Sequence, residues 1–250
     1  MHEDWKRFYR RQALALALCA AGLLLLFHFS RLDLQLADPW YDPAHGRWPW
    51  RDAWLASVFV HRGLKYVLIL ASLACIAMAW TRRAAINARA WRFVAASSVL
   101  VPLVVSLGKR LSPMHCPWEV DRYGGANPYF DLLAGAPSSL ATAGHCFPGA
   151  FVSSASWLLA FALWRWPEDR GHGITAGFAA LAFSLAVGWV QQVRGAHFLS
   201  HTLWSLWLSW AIIVALHAAL GLWRRPLAMA RSPETAGLFV DDALRIRANN

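Results

Sequence analysis

Apolar residues along this chain gather in long blocks rather than in alternation. Six blocks run approximately 13–30, 66–81, 93–108, 150–164, 174–193 and 202–223. Several approach the ~20 residues that a helix needs to cross a hydrocarbon core. The second and fourth are shorter, as tilted members of a bundle are. None shows the strict alternation of a barrel strand, and a backbone in lipid must satisfy its own hydrogen bonds, so each block predicts a helix. The first block follows Lys6, Arg7, Arg10 and Arg11, as a signal peptide would. Its apolar run is longer than a typical signal core and no small-x-small site follows, so it reads as an uncleaved first span. The pattern predicts an all-α integral membrane protein: a bundle of six transmembrane helices over residues 1–223, then a polar tail over 224–250. The tail carries Pro226 and Pro233, and one short helix is expected over 241–247.

Charge orients the bundle. With the N-terminus cytoplasmic and six alternating spans, the inside segments hold Lys6, Arg7, Arg10, Arg11, Arg82, Arg83, Arg89, Arg92, Arg165, Arg170 and the five arginines of the tail. That is fifteen of the 24 cations, while the acidic residues divide evenly. The asymmetry lies in Lys and Arg, where the positive-inside rule locates it. Segments 31–65, 109–149 and 194–201 then face outward. Trp40, Trp48, Trp50, Trp54, Trp118, Trp189 and Trp204 fall near the boundaries, as an aromatic belt does.

Composition agrees. Hydrophobic residues are 58% and charged ones 15%, against roughly 45–50% and about 25% in soluble domains. This excludes a disordered chain, a collagen-like chain and a long soluble coiled coil. The net charge of +10 suits positive-inside topology, and no nucleic-acid partner is expected. Four cysteines show no CxxC pattern. Cys19 and Cys75 are expected to be buried apolar residues. Cys116 and Cys146 both fall on the outward side, where an oxidising compartment allows a disulfide. Such a bond would tie the segment after the third span to the mouth of the fourth.

The outward face also collects polar residues that packing does not explain. Lys109 ends the third block. His145 precedes the fourth. Gln191, Gln192, Arg194, His197 and His201 join the fifth to the sixth. Ionisable groups at such depth are expensive, which makes a site the default reading. Lys, Arg and His with little acid nearby suit a phosphate, and apolar surroundings suit a lipid tail. Plainer readings stand beside this. Lys109 and Arg110 can snorkel, Arg194 can meet lipid phosphates, and His201 can be a structural hydrogen-bonding group. His197 and His201, four apart, share a helix face and can pair on a metal, but a metal site wants a third ligand. No metal and no cofactor are expected.

Three segments, GKRLSPMHCPWEVDRYGG, GHCFPGAF and QQVRGAHFLSHTLWS, carry a resemblance. Their order looks like that of the type 2 phosphatidic acid phosphatase family, membrane lipid phosphatases related to vanadium haloperoxidases, over roughly 66–223. The resemblance implies attack on phosphorus by a histidine, which falls on His197, through a phosphohistidine that water hydrolyses. It implies that Lys109 holds phosphoryl oxygens. The chain departs from the pattern elsewhere. Cys116 and Gln191 stand where the family has arginines, with Arg194 one turn later as a deputy. His201 stands where an aspartate would orient the nucleophile. Phe151 stands where a histidine would protonate the leaving group, which leaves His145 or His115 to replace it.

The expected function is removal of phosphate from a lipid phosphate or diphosphate at the periplasmic leaflet of a bacterial inner membrane. Phosphatidate, phosphatidylglycerol phosphate, undecaprenyl diphosphate and lipid A are the candidate substrates. The alternative is a family member that binds lipid phosphate, or a partner, without hydrolysis. A transporter would need polar residues along several spans, and mid-span positions offer few beyond Ser97, Ser98, Ser184 and His217.

Overall fold

The long apolar blocks become long helices. The structure, a computed structural model, describes residues 2–82, 87–138, 142–164, 166 and 169–221. Its helices are α1 (His2–Phe29), α2 (Leu32–Ala37), α3 (Leu64–Thr81), α4 (Ala88–Leu111), α5 (Ala150–Ser156), α6 (Ala160–Trp164), α7 (Arg170–Val193) and α8 (Leu199–Ala219). A π-helical stretch, Leu55–Gly63, runs straight into α3. Among the described residues, pairing of the β type is limited to two isolated bridges. Among the described residues, five helical runs are long and apolar enough to cross a membrane, by length and composition: Glu3–Phe29, Leu55–Thr81, Ala88–Leu111, Arg170–Val193 and Leu199–Ala219. They suggest a membrane protein. The fourth apolar block differs: over Ala150–Trp164 the helix is interrupted by a 3-10 turn at Trp157–Leu159 and stays shorter than those five. The tail over 224–250, with the short helix expected at 241–247, lies outside the described residues.

Apolar side chains cover the outside of the bundle as well as filling its core. Leu14, Leu18, Leu70, Leu103 and Phe178 are exposed on the helix exteriors. Ser97, Ser153, Ser184, Gln191, His201, Ser209 and His217 are buried inside. A polar group in an apolar interior costs free energy unless it finds a partner, and several of the small hydroxyls find one on the preceding turn, while Ser97 Oγ and Thr202 Oγ1 have none among the described residues. Ser184 donates to the Ala180 carbonyl at 2.8 Å and Ser205 to the His201 carbonyl at 2.6 Å. Other hydroxyls cross between helices, with Ser72 to Ser98 at 2.8 Å joining α3 to α4 and Ser156 with Ser209 at 2.6 Å joining α5 to α8. Small residues and hydroxyl pairs of this kind are what hold helices together in lipid. At Gly188 of α7 an added Cβ would lie 2.4 Å from the Thr202 methyl of α8, so that crossing requires glycine. The helix α1 leans on α8 through two indole donors, Trp207 to the Leu16 carbonyl and Trp210 to Gln12.

Two expectations need correction. Cys75 is buried but Cys19 is exposed on α1. The tryptophans are not one belt: Trp50, Trp54 and Trp189 are exposed, whereas Trp48 is buried in a second core with Ala37, Val120, Tyr123 and Phe198, against which Trp40 and Trp118 pack. This core roofs the end of the bundle where α4 and α7 finish and α5 and α8 begin. An Arg122–Asp38 ion pair with two bonds, at 2.8 and 2.7 Å, and a Tyr123–Asp38 bond at 2.9 Å tie its two loops together. The same Arg122 contact holds the Asp38 carboxyl below its ordinary pKa.

Candidate functional site

Three chain segments meet under that roof. At the end of α4, Ser112 turns the chain into extended backbone. Residues 112–116 then lie beside 144–146, with Gly144 N–H on the Pro113 carbonyl, His145 N–H on Ser112 and Cys146 N–H on Met114, at 3.0–3.1 Å. A Cys116–Cys146 disulfide, with Cα atoms 5.3 Å apart, closes this seam and links the end of α4 to the start of α5. Trp118 N–H then donates to the Gly195 carbonyl at 3.1 Å, which brings in the α7–α8 turn.

That turn is tightly specified. Gly195 has φ +73°, and a Cβ there would sit 2.3 Å from the Trp48 ring. Only glycine meets both demands. Phe198 enters α8 extended, without a side-chain cap of its own. Asp33, in α2 and far away in sequence, supplies the cap: its carboxylate accepts the Ser200 N–H at 2.8 Å and the Ser200 and Tyr129 hydroxyls at 2.5 and 3.2 Å. Asp33 is 2% exposed. Burial pushes its pKa up to about 6, and the Ser200 and Tyr129 bonds pull only part of the way back.

The result is a cavity of about 680 Å³. Lys109, Gln191, Arg194 and His197 line it at the roofed end, together with Lys65 from the start of α3. Its remaining wall is largely apolar and follows α3 and α4, through Leu68, Ile69, Leu73, Ile76, Val99 and Pro102. Arg194 is held by its Nε on the Arg51 carbonyl (3.1 Å) and its Nη1 on Gln191 Oε1 (3.0 Å). Arg51 itself lies over the Trp118 ring at 4.5 Å. The Gln191 amide nitrogen is buried with no partner among the described residues, a donor left for whatever enters. His197 Nδ1 lies 3.3 Å from His201 Nδ1 and 3.5 Å from Cys146 Sγ.

Of the residues singled out from sequence, Lys109, Gln191, Arg194 and His197 share the cavity. His201 does not line it; it stands behind His197, fully buried, with no partner for its Nε2 among the described residues. His145 is exposed and lies outside the cavity wall, at φ +49°. His115 is buried and engaged by Glu119 (3.2 Å) and the Thr142 carbonyl (3.0 Å), also off the cavity. Phe151 forms part of the wall. Cys116 and Cys146 are joined. Sequence reasoning missed Asp33, Trp48, Arg51 and Lys65. One signal was available for Asp33, an acid directly after an apolar span, where a carboxylate needs partners. Comparison with known proteins returns nothing: no family model, no curated protein and no solved structure matches this chain.

Proposed function

We propose that this protein dephosphorylates a lipid phosphate or diphosphate, as a degenerate relative of the type 2 phosphatidic acid phosphatases. In this reading the chain spans a bacterial inner membrane, with its N-terminus cytoplasmic, the 150–164 segment completing a six-membered bundle, and its site at the periplasmic leaflet. One observation carries the reading. Lys109 at the end of α4 and Gln191, Arg194 and His197 at the α7–α8 junction, two stretches remote in sequence, line one cavity whose other walls are largely apolar. Cations and a buried amide donor suit phosphoryl oxygens, and the α3–α4 wall suits a hydrocarbon chain.

His197 attacks phosphorus through Nε2, so its proton sits on Nδ1 and is donated to His201 Nδ1, 3.3 Å away. The P–N bond forms as the bond to the leaving oxygen breaks. Lys109 and Arg194 stabilise the charge that builds on the other oxygens. Water then cleaves the P–N bond, releasing phosphate and restoring the imidazole. The leaving oxygen meets Phe151 where a proton donor would be useful, and His145 lies outside the cavity. A diphosphate, whose leaving group is already a phosphate, needs that donor least.

The test is phosphate release from phosphatidate and from a polyprenyl diphosphate by the purified chain in lipid vesicles. Turnover by the wild type and its loss in His197→Ala are expected. Phe151 favours a second reading, a protein that holds lipid phosphate without cleaving it. Saturable binding of those lipids with no release of phosphate would establish that reading instead, and neither binding nor release would overturn both.

A further inference from the structure

The sequence spacing offers His197 and His201 as two metal ligands and lacks a third; the fold supplies it. Cys146, His197 and His201 each place one ligand atom within 4.8 Å of the other two. The S···N separation to His197 is 3.5 Å and the N···N separation is 3.3 Å. Tetrahedral zinc, with bonds of about 2.0–2.1 Å to nitrogen and about 2.3 Å to sulfur, requires ligand edges of about 3.3 Å (N···N) and about 3.6 Å (S···N). Both edges match. All three residues are buried, and a thiolate with two imidazoles is a donor set for zinc or cobalt rather than for calcium or magnesium. One covalent bond keeps the site shut, because Cys146 is joined to Cys116 and a disulfide sulfur is no thiolate ligand.

We infer that the Cys116–Cys146 disulfide is the latch of a transition-metal site, and that opening it lets Cys146, His197 and His201 bind a zinc-class ion. Cys116 and His197 line the cavity, so reductant and ion share a route of entry. A phosphine reductant gives two electrons to the S–S bond and takes oxygen from water as its oxide, and the two protons of that water finish on the two thiols. Metal binding displaces the Cys146 thiol proton to solvent. The proton between the two Nδ1 atoms moves to Nε2 of the ring that carried it, freeing both Nδ1 lone pairs for the ion. The Lys109 charge opposes a cation near His201, and the Cys146 thiolate offsets it. The site itself does not depend on the phosphatase reading. Its regulatory consequence does: turnover should ignore zinc while the disulfide is closed and fall to background when it is open.

The experiment is a cobalt titration of the full chain in detergent, read by thiolate-to-cobalt charge-transfer absorption, with zinc as competitor. Cys116→Ser leaves Cys146 free without any reductant. It should bind one cobalt per chain, as should phosphine-reduced wild type, while oxidised wild type binds none. Adding Cys146→Ser to Cys116→Ser should abolish the band and weaken binding by more than about 100-fold, since even partners outside the ligand shell are worth roughly 10–100-fold. His201→Gln in the Cys116→Ser background should weaken binding comparably. The double cysteine variant lacks the disulfide equally, so a loss of packing cannot produce the difference. No band in either open form, or a band that survives Cys146→Ser, would overturn the inference. If the metal site fails while His197-dependent phosphate release persists, the function proposed above stands unaffected.

Discussion

Asp33→Asn isolates a buried charge that the fold places under the start of α8. Asp33 is 2% exposed and its pKa is raised from 3.8 to about 6. A raised carboxyl pKa means that the folded state holds a proton the unfolded chain has released. The stability from this group is therefore fully present below pH 3.8 and is lost as pH rises through about 6. At roughly 1.4 kcal/mol per pH unit, the interval between those values amounts to about 3 kcal/mol. Neighbouring groups do not mimic the effect. Tyr129 and Ser200 donate to Asp33, and Asp131 lies close enough to raise its pKa slightly. Asp38, held low by Arg122, changes stability at more acidic pH and with the opposite sign. Asparagine keeps an acceptor for the Ser200 N–H but carries no charge. Chemical unfolding in mixed micelles from pH 4 to pH 7 should show wild type losing about 3 kcal/mol more than Asp33→Asn over this range. Asp33→Ala should lose the same slope and about 1 kcal/mol besides, for the missing cap. Equal slopes for wild type and Asp33→Asn would refute both the buried charge and the clamp built on it.

Three further outcomes follow from the same geometry. Phe151→His puts an imidazole into the cavity wall, and a proton donor there should raise turnover of a lipid monophosphate by roughly 10²–10⁴-fold while changing diphosphate turnover far less; no gain would argue against Phe151 as the missing acid. Gly195→Ala forces a Cβ against the Trp48 ring at φ +73° and should cost about 2–4 kcal/mol from αL strain and overpacking, with part regained in Gly195→Ala/Trp48→Ala by thermal unfolding. Cys116→Ser opens a loop whose ends are 30 residues apart, and chain entropy sets the loss near 3–4 kcal/mol, read as a lower unfolding midpoint under non-reducing conditions.

The helical character and the approximate positions of the long helices were legible because they depend on local pattern: a helix that must hydrogen-bond to itself in lipid declares its own length. The gathering of Lys109, Gln191, Arg194 and His197 was legible for a related reason. Each sits at the end of an apolar block, and alternating helices place those ends together. What was not legible depends on partners remote in sequence. Asp33 caps Ser200 from 167 residues away. Trp48 looked like an interfacial tryptophan and instead packs on Gly195. His145 stands near Phe151 in sequence but is exposed, because the 112–116 and 144–146 pairing uses its backbone and leaves its ring outside. The interruption at Trp157–Leu159 has no proline or glycine to announce it.

By itself, the order of residues determined a helical, lipid-suited chain with polar side chains concentrated where its helices end, since hydrophobic block length and charge are properties of single segments. Tertiary structure alone decided which of those side chains face one another. It set Asp33 under Ser200, Trp48 against Gly195 and the Cys116–Cys146 bond beside His197, because a contact between distant segments is fixed by how helices cross and how loops close, and neither quantity is written in any one stretch of chain.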